Sequence, residues 1–318
     1  MFYTTDEIIA SLKTRILAPA GQPTFSTSDF VRFINEEFQL KMVPDMITLR
    51  EDFFLKSVRL PVAANLTKYT MPERAIGNVL KDVMYLDSGN NRYPTQRINI
   101  NQIPTNNLSS IYPAQFYIEA DQVVIAPTPQ AAGGTVQLWY YQRPNELVLE
   151  SACGQITAVS YDTPTTDQVT YTVNADISTY EVVDFQSGYS PFQLTNIDVP
   201  VVSATNTTVV VDMEDVAGQV TGTYLPQVGD WICNEQTAPI PMVPQEFHPL
   251  LAEMSAARVV QALGHNEKLE AILGNIETIR KNLFNTLQIR VEQNKEAIFN
   301  PYGLVQSTGY GWNLGWPR

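Results

Sequence analysis

Residues 114–129 read "AQFYIEADQVVIAPTP". The stretch is a strand, a tight turn at 119–121 and a second strand closed by prolines, because short apolar runs flank a polar turn and proline ends strand pairing. It lies just beyond a change of period. Before about residue 92 apolar residues recur at helical spacing; after it they alternate or form short β-branched runs. A third strand, "TVQLWYYQRP" at 135–144, follows closely. The three are expected to form an antiparallel meander whose Tyr and Trp side chains need a covering layer.

Upstream, Thr4 and Glu7 have capping-box spacing ahead of Ile8, Ile9, Leu12 and Ile16. The run "APAGQP" at 18–23 breaks that helix. A second begins at Ser26, with Asp29 at its third position and Phe25 and Phe30 placed as a hydrophobic staple; Phe30, Phe33, Ile34 and Phe38 form its apolar face. A third helical piece is expected around 44–57 and a short one over 72–86. Residues 1–91 are therefore read as an N-terminal helical part and 92–148 as the meander.

Residues 149–238 are read as an acidic β-rich domain. Between Arg143 and Arg258 there is no Lys or Arg, while the chain as a whole carries a net charge of −13. The acids concentrated there are compatible with a solvated face, a surface for a basic partner, or a channel wall that repels a polyanion. "YTVNAD", "TYEVVDF" and "NTTVVVDM" supply its strands. "PIPMVPQEFHPL" at 239–250 leads back to helix: Phe247, Leu250, Leu251, Met254 and Ala257 form one stripe, Gly264 and Asn266 mark a turn, and Leu269, Ile272, Ile276, Ile279 and Leu283 form a second. Residues 239–299 thus complete a helical bundle. The fold class is α+β: a bundle of N- and C-terminal helices around a large antiparallel β-rich middle section.

The chemistry points away from catalysis and from metal or cofactor binding. His248 and His265 are the only histidines and stand outside any metal-spaced cluster. Cys153 and Cys233 read as buried core residues without a CxxC. No phosphate loop or nucleophile elbow is present, and "VDMEDV" (Asp212, Glu214, Asp215) lacks the spacing of a calcium loop. The negative charge opposes general nucleic-acid binding. The opening "MFYTTDEIIASLK" does not resemble a signal peptide, and no apolar run reaches the ~18 residues of a membrane span.

Residues 300–318, "NPYGLVQSTGYGWNLGWPR", combine Gly and Pro with Tyr302, Tyr310, Trp312 and Trp316 and only one charge. They read as an extended arm whose aromatics anchor a partner, or as a flap over the helices.

The order of parts resembles a family of tailed-bacteriophage head–tail connector or adaptor (neck) proteins. The resemblance is carried by "TFSTSDFVRFINEEF", "REDFF", "YTMPERAIG", the 114–129 hairpin, "LWYYQRPNELV", "VGDWI" and "LAEMSAARVVQALG". "MPERAIG" and "YYQRPNELV" are the most telling. It implies a non-enzymatic virion protein, made in the host cytoplasm and assembled into a ring of about 12 copies. The ring would dock on the portal protein, pass double-stranded DNA without reading its sequence, and offer a surface to a tail, second adaptor or nozzle protein. In related adaptors a C-terminal segment binds the portal, a role that falls here on the aromatic arm. The rivals are a more distal tail or fibre-attachment protein and a carbohydrate-binding or carbohydrate-active protein.

Overall fold

A computed structural model describes residues 3–16, 24–99, 101, 113–129, 132–162, 167–217 and 225–287. The protein is mixed α+β, with several antiparallel sheets and a smaller helical share. Both anticipated helix starts are present. α1 (Thr5–Arg15) opens with a complete Thr4–Glu7 capping box, and α2 (Thr27–Glu37) with one formed by Ser26 and Asp29. Phe25 packs edge-on against Phe30, ring centroids 6.0 Å apart. A π-helical turn (Phe38–Met42) continues directly into α3 (Val43–Leu49).

The helices expected over 44–57 and 72–86 give way to strand: only 43–49 is helical in the first, and the second is β. α3 stops at Leu49, and β1 (Leu55–Pro61) follows a turn that buries Phe53 and Phe54. After β2 (Lys68–Thr70) the segment expected to be helical is a long strand, β3 (Ala75–Leu86). Its partner register jumps from Ala75↔Gln142 to Leu80↔Tyr140, so three surplus residues loop out. Gly77 and Asn78 sit there at φ 59° and 53°, a region glycine and asparagine enter at least cost. This bulge breaks the two-residue alternation that would have identified the strand.

β4 (Arg92–Pro94) and β5 (Gln96–Arg97) lead to the hairpin of β6 (Gln115–Glu119) and β7 (Gln122–Ala126), which turns at 120–121 as expected. β8 (Thr135–Gln142) does not complete a meander. It crosses to a different sheet and inserts between β1 and β3, giving the order β1-β8-β3-β4. The hairpin lies in a facing sheet of order β2-β7-β6-β5, where β5 runs parallel to β6. Val83, Tyr85, Val136 and Leu138 of one sheet pack on Tyr69, Phe116, Val123 and Ile125 of the other. The covering layer that the strand aromatics required is therefore this second sheet.

After β9 (Glu146–Leu147) comes an inserted β module. It comprises β10 (Cys153–Asp162), β11 (Gln168–Val173), β12 (Val182–Gln186), β13 (Leu194–Pro200), β14 (Ser203–Ala204), β15 (Thr208–Asp212), the short α4 (Met213–Ala217) and β16 (Trp231–Asn234). Among the described residues its seven strands form one sheet of order β13-β12-β16-β10-β11-β15-β14. Tyr171, Phe185, Val209, Val211 and Ile232 form its own core. The module begins and ends on paired strands, Cys153 opposite Cys233. β17 (Thr237–Ala238) then pairs with β9.

α5 (His248–Ala262) buries Leu250, Leu251, Met254 and Val259, and contacts α1, α2 and α6 (Asn266–Leu287). Ile8, Leu12, Phe30, Phe38 and Phe54 share that core. No helix among the described residues is long and apolar enough to cross a membrane.

Candidate functional site

The three packed units meet at a buried polar junction. Arg74, in the turn before β3, reaches Asp184 of β12 through two bonds, Nη1 to Oδ2 at 2.6 Å and Nη2 to Oδ1 at 3.0 Å. Its Nη2 also pairs with Asp198 of β13. Asn145 completes the cage: its Oδ1 accepts from Arg74 at 3.0 Å, and its Nδ2 donates to Asp184 at 2.6 Å and to the Thr237 carbonyl at 2.8 Å. The backbone N–H groups of Asp198 and Gln236 supply two further donors to Asp184. Arg74 is 6% exposed and Asp184 fully buried. Burial opposes the guanidinium charge, but the Asp184 and Asp198 carboxylates outweigh it and hold the Arg74 pKa above its ordinary value.

A second connection joins this junction to the helices. Asn35 of α2 is buried and mimics a strand partner: Nδ2 donates to the Leu147 carbonyl at 2.8 Å, and Oδ1 accepts from the Leu147 N–H at 2.7 Å. "VGDWI" acts in the same way inside the module. Asp230 is fully buried and accepts from the N–H groups of Gly188 and Gln227, both at 2.9 Å. Gly188 must be glycine, since a Cβ would lie 2.0 Å from the Gly229 carbonyl oxygen.

His248 Nδ1 accepts from the Tyr3 N–H at 2.9 Å, so the ring proton sits on Nε2, which donates to the Val243 carbonyl at 3.2 Å. Burial lowers its pKa to about 4. His265 lies in the exposed α5–α6 turn. Cys153 and Cys233 are free and buried. Among the described residues no three His, Cys, Asp or Glu side chains come together as a metal site needs.

α6 spans 22 residues, about 33 Å. Ile276, Ile279, Leu283 and Phe284 are only partly buried against the helical core. Arg280 fastens α6 to α3 through an ion pair with Asp45, and lies 5.4 Å from the Phe284 ring centroid. The anticipated anchors Tyr302, Tyr310, Trp312 and Trp316 lie outside the described residues.

The model of one protein family, the SU10 adaptor protein, matches residues 3–172. The chain belongs to that family. No curated protein matches it. The matched span covers α1 through the start of the inserted module and includes Asn35, Arg74 and Asn145, so three of the junction's groups come from adaptor-family sequence. The SU10 adaptors are structural proteins of phage virions, and membership implies contacts with other virion proteins such as portal and tail.

Asn35, Arg74, Asn145 and Asp184 all lie in segments with clear sequence patterns, but no local pattern marks them as partners. Asp184 held the usable signal. A carboxylate inside the apolar run "VVDF", in a stretch without Lys or Arg, must take its cation from elsewhere in the chain.

Proposed function

We propose that this adaptor-family chain is a ring subunit of the phage neck. It docks on the portal, extends the DNA channel and presents the attachment surface for the tail. The observation that carries this reading is the adaptor-family match over residues 3–172. The geometry supports it, because the distinctive polar residues in that span are used to fix two β units and the helices to one another. Such a junction suits a subunit that must keep its shape within a ring. In this reading the N- and C-terminal helices form a bundle that serves as the ring body, and α6 leads toward the aromatic arm. Tyr302, Tyr310, Trp312 and Trp316 are the docking anchors. Avidity around the ring lets each arm bind weakly while the assembly holds.

Negative-stain electron microscopy of the protein mixed with the portal ring of its own phage tests the proposal, with portal alone as control. The expected result is an added, rotationally symmetric layer at one end of the portal. Folded components that give no such layer would overturn portal docking and point to a more distal tail or fibre-attachment role.

A further inference from the structure

The inserted β module joins the rest of the chain through β10 and β16, and those two strands carry the only cysteines of the protein. Cys153 and Cys233 face each other directly in the register. Their pairing type follows from the ladder. The Ile156 N–H donates to the Asp230 carbonyl at 2.8 Å, so the hydrogen-bonded pairs of β10 and β16 fall at Ile156/Asp230 and Gly154/Ile232. Cys153/Cys233 is then a non-hydrogen-bonded pair, the kind in which Cα atoms approach to about 4.5 Å and side chains on one face lie closest. That spacing is within the range a disulfide spans, about 4.4–6.8 Å. Phe192, Trp231 and Ile240 close around the two sulfurs, leaving Cys153 1% and Cys233 0% exposed. Burial, reinforced by the neighbouring Cys153, holds the Cys233 thiol well above its ordinary pKa, which keeps the reduced pair unreactive while the module stays closed.

We propose that Cys153 and Cys233 form a dormant thiol pair that closes to an intrachain disulfide when a small-molecule disulfide reaches it through local opening of β10 and β16. One cysteine, as thiolate, attacks the small disulfide and releases one small thiolate, leaving a mixed disulfide on the protein. The second cysteine attacks the protein-bound sulfur and releases the other. In balance, two protein thiols and one small disulfide give one protein disulfide and two small thiols, which carry away the two protons. The bond closes a loop of roughly 80 residues at the stem of the module. It also fixes β16 beside β12, where Asp184 lies directly opposite Cys233 and holds Arg74. The closure depends only on this geometry. Its occasion, passage from a reducing cytoplasm to the oxidising exterior, rests on the virion reading.

The test uses the full-length protein, purified reduced and incubated with oxidised glutathione, with and without mild urea. The expected result is an intact mass lower by two hydrogens and a non-reducing peptide map in which the Cys153 and Cys233 peptides are joined. A rise in melting temperature on the order of 5 °C, reversed by dithiothreitol, should accompany it. Cys153→Ala and Cys233→Ala, each checked for folding, must abolish both effects. Two thiols that still alkylate fully after denaturation, or products limited to glutathione adducts and intermolecular dimers, would overturn the proposal. The readouts involve no portal, so they stand or fall separately from the ring-subunit reading.

Discussion

Arg74 is worth more than a surface cation because both members of its main ion pair are withdrawn from water. Replacing Arg74 with Ala leaves Asp184 charged and buried with only neutral donors, and removing one member of such a pair typically costs about 3–5 kcal/mol. Chemical denaturation should show a loss of that size for Arg74→Ala. The double change Arg74→Met with Asp184→Leu should recover part of it, since no charge is then stranded. A loss below about 1 kcal/mol for Arg74→Ala would mean that the junction is solvated in solution. His248 gives a pH signature. Its folded pKa is depressed to about 4, against an ordinary value of 6.5. The unfolded chain therefore takes up a proton over that interval while the folded chain resists it. The stabilising contribution is fully present above pH 6.5 and is lost on acidification toward pH 4, by about 3 kcal/mol. Urea midpoints measured between pH 7 and pH 4 should fall in wild type. The part of that fall due to His248 should disappear in His248→Gln.

At the scale of elements, α5 and α6 are neighbours with different fates. α5 buries ten of its fifteen residues, whereas the apolar residues of α6 remain only partly covered. Native-state hydrogen exchange should find α6 opening at a lower free energy than α5. Leu251→Ala should cost about 3 kcal/mol and Ile276→Ala clearly less, because the cavity term needs a site that is fully enclosed. Equal protection along the two helices would contradict this ordering. The same contrast between local and distant information explains what the sequence could reveal. The capping boxes of α1 and α2 and the β6–β7 hairpin are local, and their residues announce them. β3 was hidden because Val79, Leu80, Val83 and Met84 also fit helical spacing, and because the Gly77–Asn78 bulge breaks its alternation. β8 is legible as a strand, but the meander its sequence suggests gives it the wrong neighbours. Its choice of β1 and β3 depends on residues 49 to 86 positions away, which no short-range pattern encodes. At the junction, the segments were visible but the pairing of Arg74 with Asp184 was not.

For the whole molecule, the placement of the cores decides how the C-terminal segment can be tested. Among the described residues every buried apolar residue lies at or before Val260, and α6 adds only partly buried contacts up to Leu287. Removing residues 300–318 therefore takes nothing from the described cores. The truncated protein should retain its circular dichroism spectrum and melting temperature, and should fail to add a layer to the portal ring. Replacing Trp312 and Trp316 together by Ala should reproduce most of that loss, since buried aromatic anchors dominate interface energies, often at 2 kcal/mol or more each. Multiplied around a ring, even about 1 kcal/mol per subunit becomes a large loss of avidity, so the double substitution should be conspicuous in the assembly assay. A truncated chain that unfolds would make the segment part of the core, covering the half-exposed face of α6. A truncated chain that folds and still docks would move the portal contact onto the described surface. The two alternatives separate cleanly because folding is read on the isolated subunit and docking on the ring.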